Sequence, residues 1–323
     1  MPRRSSPAKA QHFVYSPYKH VPIALAPGDG LISTAVAGAP TPIVVSGRST
    51  LPPSVTALTL AFATGECGAE TWEGMDPSWL ANGSLPALAD AGIDYIISTG
   101  GEAGVFTCAT DAGMEAFVAH YASPRLIGFD FDIERGQSAD VVASLVRRIK
   151  VAKERHPELR FSFTLATWGA SDGSQASLND VGQRLMQAVR DAGLADYYVN
   201  LMVMDYGDAT QRNCVVSGGV CDMGQSAIQA ARNLNAGFGI HMSRIEVTPM
   251  IGINDVMANV FTLDDARVLA RFARENALGG LHFWALDRDI PCPLDVSGVS
   301  SVCSGLRGMP AFAFAEAFHK GLQ

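Results

Sequence analysis

A chain of 323 residues, 48% hydrophobic and 17% charged, is long enough to bury a substantial core, either as one large domain or as two ordinary ones. Its formal charge of -8, with no Lys/Arg run beyond Arg3-Arg4 and the dispersed Arg147, Arg148 and Lys150, argues against nucleic acid and anionic membrane as partners. No apolar run approaches the roughly 20 residues of a membrane span, and the first residues lack the apolar stretch of a signal peptide, so a secreted form would already have shed its leader.

Residues 1–10 read as a disordered tail and 11–323 as one folded domain. Eight β-rich apolar segments recur along the chain: HFVYSPY from His12, ALTLAFAT from Ala57, IDYIIS from Ile93, RLIGFDFDI from Arg125, RFSFTLAT from Arg160, YYVNLMVM from Tyr197, RIEVTPMIGI from Arg244 and GGLHFWAL from Gly279. Helical patterns separate most of them. Met114, Phe117, Val118 and Tyr121 follow the i, i+3, i+4, i+7 spacing within 111–123. Ser138 can cap a helix over 138–155 whose stripe includes Val142, Leu145, Val146 and Ile149, and similar stripes cover 177–192, 223–235 and 262–276. Residues 23–53 are rich in Ala, Pro, Gly and Ser without helical period, so the first connection is expected to be loop. The last twenty residues read as a terminal helix on the outside. Strands alternating with helices imply a parallel sheet, and eight units imply a single-domain (β/α)8 TIM barrel, class α/β; a doubly wound open sheet is the alternative.

The fourth segment, RLIGFDFDIERG, carries three carboxylates inside an apolar run. Strand side chains alternate, so Asp130, Asp132 and Glu134 share one face and Phe129, Phe131 and Ile133 the other. Neighbours in the row lie roughly 6.5–7 Å apart, close enough that ionising all three is costly. A solvated strand edge does not suit such apolar flanks. In a barrel, chemistry sits at the carboxyl ends of the strands. Glu134 ends the fourth segment, Trp168 follows the fifth, Asp205 and Tyr206 end the sixth, and Trp284 ends the eighth, so these residues converge on one rim.

The six cysteines form an even set. Cys214 and Cys221 flank CVVSGGVC, Cys292 and Cys303 bracket PLDVSGVSSV, and Cys67 is left for Cys108. Three disulfides and an oxidising compartment are predicted; six free thiols in a cytosolic enzyme is the alternative. No C-x2-C pair occurs and the seven histidines are scattered, which disfavours zinc.

On these residues the sequence resembles glycoside hydrolase family 18, the chitinase family. Its signature strand D-G-x-D-x-D-x-E is matched by Ile127 to Glu134 except at Ile127, Ser98-Thr99-Gly100-Gly101 resembles the third-strand S-x-G-G, MVMDYG from Met202 the sixth-strand segment, and Trp284 the eighth-strand tryptophan. The resemblance implies substrate-assisted retaining hydrolysis of β-1,4-linked N-acetylglucosamine chains. Glu134 would be the general acid, its pKa raised by Asp132. Asp132 would hold the acetamido N–H, and Asp130 would share a proton with Asp132. Asp205 and Tyr206 would position the acetamido group, with Tyr206 standing in for a family tyrosine that is Met204 here. Trp284, Met202, Met204, Ser98, Gly100, Gly101, Trp168 and Tyr15 complete the expected substrate site. Trp72 is balanced between stacking a sugar and core packing, and Trp79 reads as core. No cofactor and no metal are expected, a divalent-metal site on the acidic row being the chemical rival. The expected state is a secreted monomer acting on chitin or its oligosaccharides.

Only about 28 residues separate Ile251 from Gly279, leaving no room for an inserted α+β module, so a shallow cleft and endo-type cutting are expected. Alternatives are an endo-β-N-acetylglucosaminidase, a peptidoglycan-active hydrolase, or an inactive lectin-like relative.

Overall fold

The computed structural model describes residues 13–25, 31–36, 38–134, 136–296 and 298–323. The expected tail at 1–10 lies outside them. Two short segments, Val14–Tyr15 and Tyr18–His20, are halves of one strand, β1, interrupted at Pro17, which has no N–H for a ladder. The other barrel strands are β2 (Ala57–Ala63), β3 (Asp94–Gly100), β4 (Leu126–Asp132), β5 (Arg160–Ala166), β6 (Tyr198–Met202), β7 (Ile245–Thr248) and β8 (Gly280–Leu281). Each pairs in parallel with the next. The first half of β1 pairs with β8, Val14 opposite Gly280, and its second half pairs with β2, Tyr18 opposite Thr59. The ring of eight parallel strands therefore closes, as the (β/α)8 expectation requires.

Helices follow the strands from β2 onward: α1 (Leu85–Asp90), α2 (Asp111–His120), α3 (Ala139–Arg155), α4 (Asp180–Ala192), α5 (Met223–Phe238), α6 (Leu263–Glu275) and α7 (Ala313–Leu322). Their starts are set by local chemistry. Ser138 accepts from Val141 N–H, Asn179 from Gly182 N–H, and Thr262 with Asp265 forms a reciprocal capping box. Between β1 and β2 the described residues form two small hairpins, Ser33–Thr34 with Thr41–Pro42 and Val44–Val45 with Arg48–Ser49, and no helix. The terminal helix is half the expected length. Gly305 and Gly308 at positive φ, with Pro310 close behind, keep the preceding stretch irregular.

Alternation on β4 sorts the apolar and acidic faces. Phe129 and Phe131 point outward into the layer beneath the helices, with Phe129 4.9 Å from Phe117 and Phe131 5.9 Å from Phe106 between ring centroids. The inward face is polar. At the floor, Arg160 Nε donates to Glu246 Oε1 at 2.6 Å, its guanidinium lies 3.3 Å over the Tyr198 ring, and His282 bridges Glu246 and Ser16. Burial works to raise the Glu246 carboxyl, but Arg160 and His282 outweigh it and hold the group at about 2.

Three disulfides join Cys67 to Cys108, Cys214 to Cys221 and Cys292 to Cys303, with Cα separations of 4.9, 5.7 and 5.2 Å, the predicted pairing. The first ties the loop after β2 to the loop after β3. The β7–β8 connection holds one hairpin, Gly252–Ile253 with Val260–Phe261, and α6, without an inserted module.

Candidate active site

The signature glycine of β4 exists for a steric reason. A Cβ on Gly128 would lie 1.9 Å from the Arg160 carbonyl oxygen, so only glycine lets β4 lie against β5 there. From that point Asp130 and Asp132 project into the barrel and are buried, and Glu134, two residues beyond the strand end, is half-buried.

Asp130 is held by four hydroxyls. Tyr18 Oη at 2.9 Å and Ser98 Oγ at 2.7 Å donate to its Oδ2, while Ser162 Oγ at 2.8 Å and Thr164 Oγ1 at 2.7 Å donate to its Oδ1. Burial raises its pKa, Ser98, Thr164 and Ser162 oppose the rise, and the Glu246 charge adds to it. Asp132 is treated differently. Its Oδ1 is buried without a hydrogen-bond partner among the described residues. Burial first, then the charges of Glu134 and Asp130, push its carboxyl well above the usual range. The cradle thus favours the charged form at Asp130 and a retained proton at Asp132. Among the described residues no hydrogen bond joins the two carboxyls.

Above the row lies a small apolar cluster separate from the main core: Tyr18, Ala61 and Ala285, with Phe62 and Trp284 packed against it. Phe62 and Trp284 stack at 5.5 Å and 17°. Trp284 is half-buried, so it offers a plate at the barrel mouth, the place expected for it.

The β6 end departs from expectation. The strand stops at Met202, and Asp205 adopts φ 49, which breaks the alternation that would put residues 204 and 206 on one face. Tyr206 is consequently buried in the main core with its hydroxyl unpartnered, and cannot meet a substrate in this arrangement. Asp205 Oδ1 accepts from Val256 N–H at 2.7 Å, holding the β7–β8 loop, and burial followed by Asp255 raises its pKa. Met202 and Met204 are half-buried; the register places Met202 beside Ala166 and Thr248.

Tyr15 is also corrected. Ordinary alternation along β1 turns Ser16 and Tyr18 into the barrel, so Tyr15 faces the outer layer, its hydroxyl donating to the Ala315 carbonyl at 3.1 Å and its ring packing on Phe318. Ser98 holds Asp130 and is fully buried, which removes it from substrate contact. Gly100 and Gly101 serve by lacking side chains: a Cβ on the first would lie 2.1 Å from the Asp132 carbonyl oxygen, and on the second 2.8 Å from the Phe62 ring. Trp168 is exposed in the loop after β5. Trp72 is core, its Nε1–H donating to Tyr121 Oη at 2.9 Å, and Trp79 packs against the core.

Tyr18, Asn200 and Phe62 escape the sequence reading. Asn200 donates to Tyr18 Oη at 3.0 Å and to Thr164 Oγ1 at 2.8 Å, tying β6 into the Asp130 cradle. The only local signal was position: Asn200 is a polar residue inside an apolar strand. A hollow of about 280 Å3 lined by Val118, Ala122, Leu126 and Leu159 lies at the opposite, amino-terminal ends of β4 and β5, away from these groups.

No protein-family model matches the chain. It is 30% identical over 261 residues to Endochitinase 11 of Metarhizium anisopliae, covering 75% of this chain and 49% of that protein. It is 28% identical over 252 residues to a probable bifunctional chitinase/lysozyme of Escherichia coli, covering 72% of this chain and 27% of that one. The chain thus spans about half or less of the curated relatives it matches. In structure it resembles the catalytic domain of a hyperthermophilic chitinase from Pyrococcus furiosus, with TM-score 0.70, 24% identity, and 97% and 95% of the two chains covered.

Proposed function

The chain belongs to glycoside hydrolase family 18, the chitinase family, and from that premise we propose that it hydrolyses β-1,4-linked N-acetylglucosamine chains with retention, the substrate's own acetamido group acting as nucleophile. The observation that carries the reading is the row on β4: a hydroxyl-cradled Asp130, a buried Asp132 whose Oδ1 has no partner among the described residues, and Glu134 at the mouth.

Glu134 protonates the glycosidic oxygen as the acetamido carbonyl oxygen attacks the anomeric carbon, closing an oxazolinium ion. Asp132 turns to accept the acetamido N–H, giving up its proton to Asp130. The hydroxyls around Asp130 can rotate, so one of them stops donating as the proton arrives. The negative charge then sits beside the developing cation, where a dry site makes it most effective. Glu134 next removes a proton from the attacking water, and the ring opens with net retention. Trp284 supports the flat face of the sugar.

The test is release of reducing ends from N-acetylglucosamine oligomers. Activity is expected to survive EDTA, to fall by about 10²–10⁴ in Glu134→Gln, and to be absent on fully deacetylated polymer. Equal cleavage of the deacetylated polymer would overturn the mechanism. The name of the Escherichia coli relative favours peptidoglycan as a second substrate, which a parallel assay on purified cell wall decides. The short β7–β8 connection supports endo-type cutting, read as an early fall in the viscosity of soluble chitin. Three disulfides support an extracellular location, and no helix among the described residues is long and apolar enough to cross a membrane. The proposed form is a monomer built on one catalytic domain over 11–323.

A further inference from the structure

His20 closes β1 at the barrel mouth, and nothing in the mechanism above uses it. Its ring centroid lies 5.7 Å from Trp284 and 6.2 Å from Phe62, so it extends the aromatic floor beyond the tryptophan plate. Nε2 lies 3.0 Å from Glu73 Oε1, and the two side chains are 25% and 59% exposed. Nδ1 has no hydrogen-bond partner among the described residues, leaving one ring nitrogen for a ligand.

Two features fix this pair in place. The backbone of His20 is clamped to the turn after Trp284: His20 N–H donates to Asp287 Oδ2 at 2.9 Å, and Asp287 Oδ1 pairs at 2.5 Å with the fully buried Lys19. Glu73 sits at the tip of a two-residue hairpin turn in which Trp72 and Met75 exchange backbone hydrogen bonds at 3.0 Å. Both central residues have positive φ, 50° for Glu73 and 84° for Gly74. Such a turn favours Asn, Asp or Gly at its first central position. Glutamate is therefore disfavoured at that tip on backbone grounds, and one part-exposed contact to His20 offsets little of the strain. A ligand that engages both side chains gives the residue a use there.

We propose that His20 and Glu73 act together as a recognition pair, hydrogen-bonding the polar groups of an uncharged acetamido sugar next to the one stacked on Trp284. The inference rests on the chitinase reading of the cleft and names specificity-determining residues for it. Preorganisation by the Lys19–Asp287 clamp and the tight turn lowers the entropy lost when a sugar chain docks.

Calorimetric titration of N-acetylglucosamine hexamer into the Glu134→Gln protein, with and without a further His20→Ala, His20→Asn or Glu73→Gln change, tests the pair. Each added change is expected to weaken Kd about 5- to 10-fold, and the His20→Ala, Glu73→Gln combination no further than the worse single change. In the active enzyme the same changes should raise KM by a similar factor and leave kcat within about 2-fold. Unchanged affinity in both His20→Asn and Glu73→Gln, or strictly additive losses, overturns the proposal. A wild type that neither binds nor cleaves the hexamer overturns the chitinase reading itself, whereas an active wild type with unaffected variants overturns only the pair.

Discussion

Asp130 and Asp132 are the same residue type two positions apart, yet their surroundings give them opposite work. Four hydroxyl donors surround one carboxyl and a buried oxygen of the other has none. Tyr18 is the donor most open to test because its ring also supports the sugar platform. Tyr18→Phe keeps the ring and removes one hydrogen bond to a charged group, worth about 1.5–3 kcal/mol. We expect kcat to fall roughly 10- to 100-fold with little change in the thermal melt. An unchanged kcat would show that the remaining three donors suffice. Asp132→Asn, which keeps the shape but cannot carry negative charge, should lower kcat by at least as much as Tyr18→Phe and leave the fold intact by circular dichroism.

At the scale of elements, the last helix hangs on one carboxylate. Asp289 accepts from Phe314 N–H at 3.0 Å and Ala315 N–H at 2.8 Å, at the amino end of α7. Burial pushes its pKa up to about 7 against those two donors, with Glu316 adding to the rise. A raised carboxyl binds more proton folded than unfolded between its ordinary value near 4 and about 7. Its contribution is therefore complete at the acid end of that window and is lost as pH rises through it, at up to about 1.4 kcal/mol per pH unit. Asp289→Asn should flatten the decline in melting temperature between pH 4 and 7; an unaltered slope would contradict the assignment. Elements of this kind also show what a sequence can reveal. Five of the helices, the Ser138 cap, the paired cysteines and the acidic row were legible, because each is a pattern of near neighbours; α1 and the caps at Asn179 and Thr262 were not read. Tyr206 was misplaced because the left-handed Asp205 breaks the alternation of its strand, and that break depends on backbone angles; Tyr15 was misplaced because YSPY offers a tyrosine to each face of β1 and so short a segment does not say which face is the inner one. The Asp130 cradle was unreadable for another reason: Tyr18 reaches it across 112 residues and Asn200 reaches Tyr18 across 182.

The whole molecule is a ring whose rim is braced covalently. Cys67–Cys108 spans 41 residues between the loops after β2 and β3. A cross-link of that span stabilises by roughly 4 kcal/mol in the chain-entropy account. Replacing both cysteines with serine should lower the melting temperature by several degrees and leave KM for short oligomers within about 2-fold; an unchanged melt would show that the loops are fixed by other contacts. The split strand has a separate consequence. Because Val14 must find Gly280 and Tyr18 must find Thr59, the circle stays open while a ribosome is still making its middle. An unfinished copy is a horseshoe with two raw ends, each offering strand edges that only the last segments of the chain can cover.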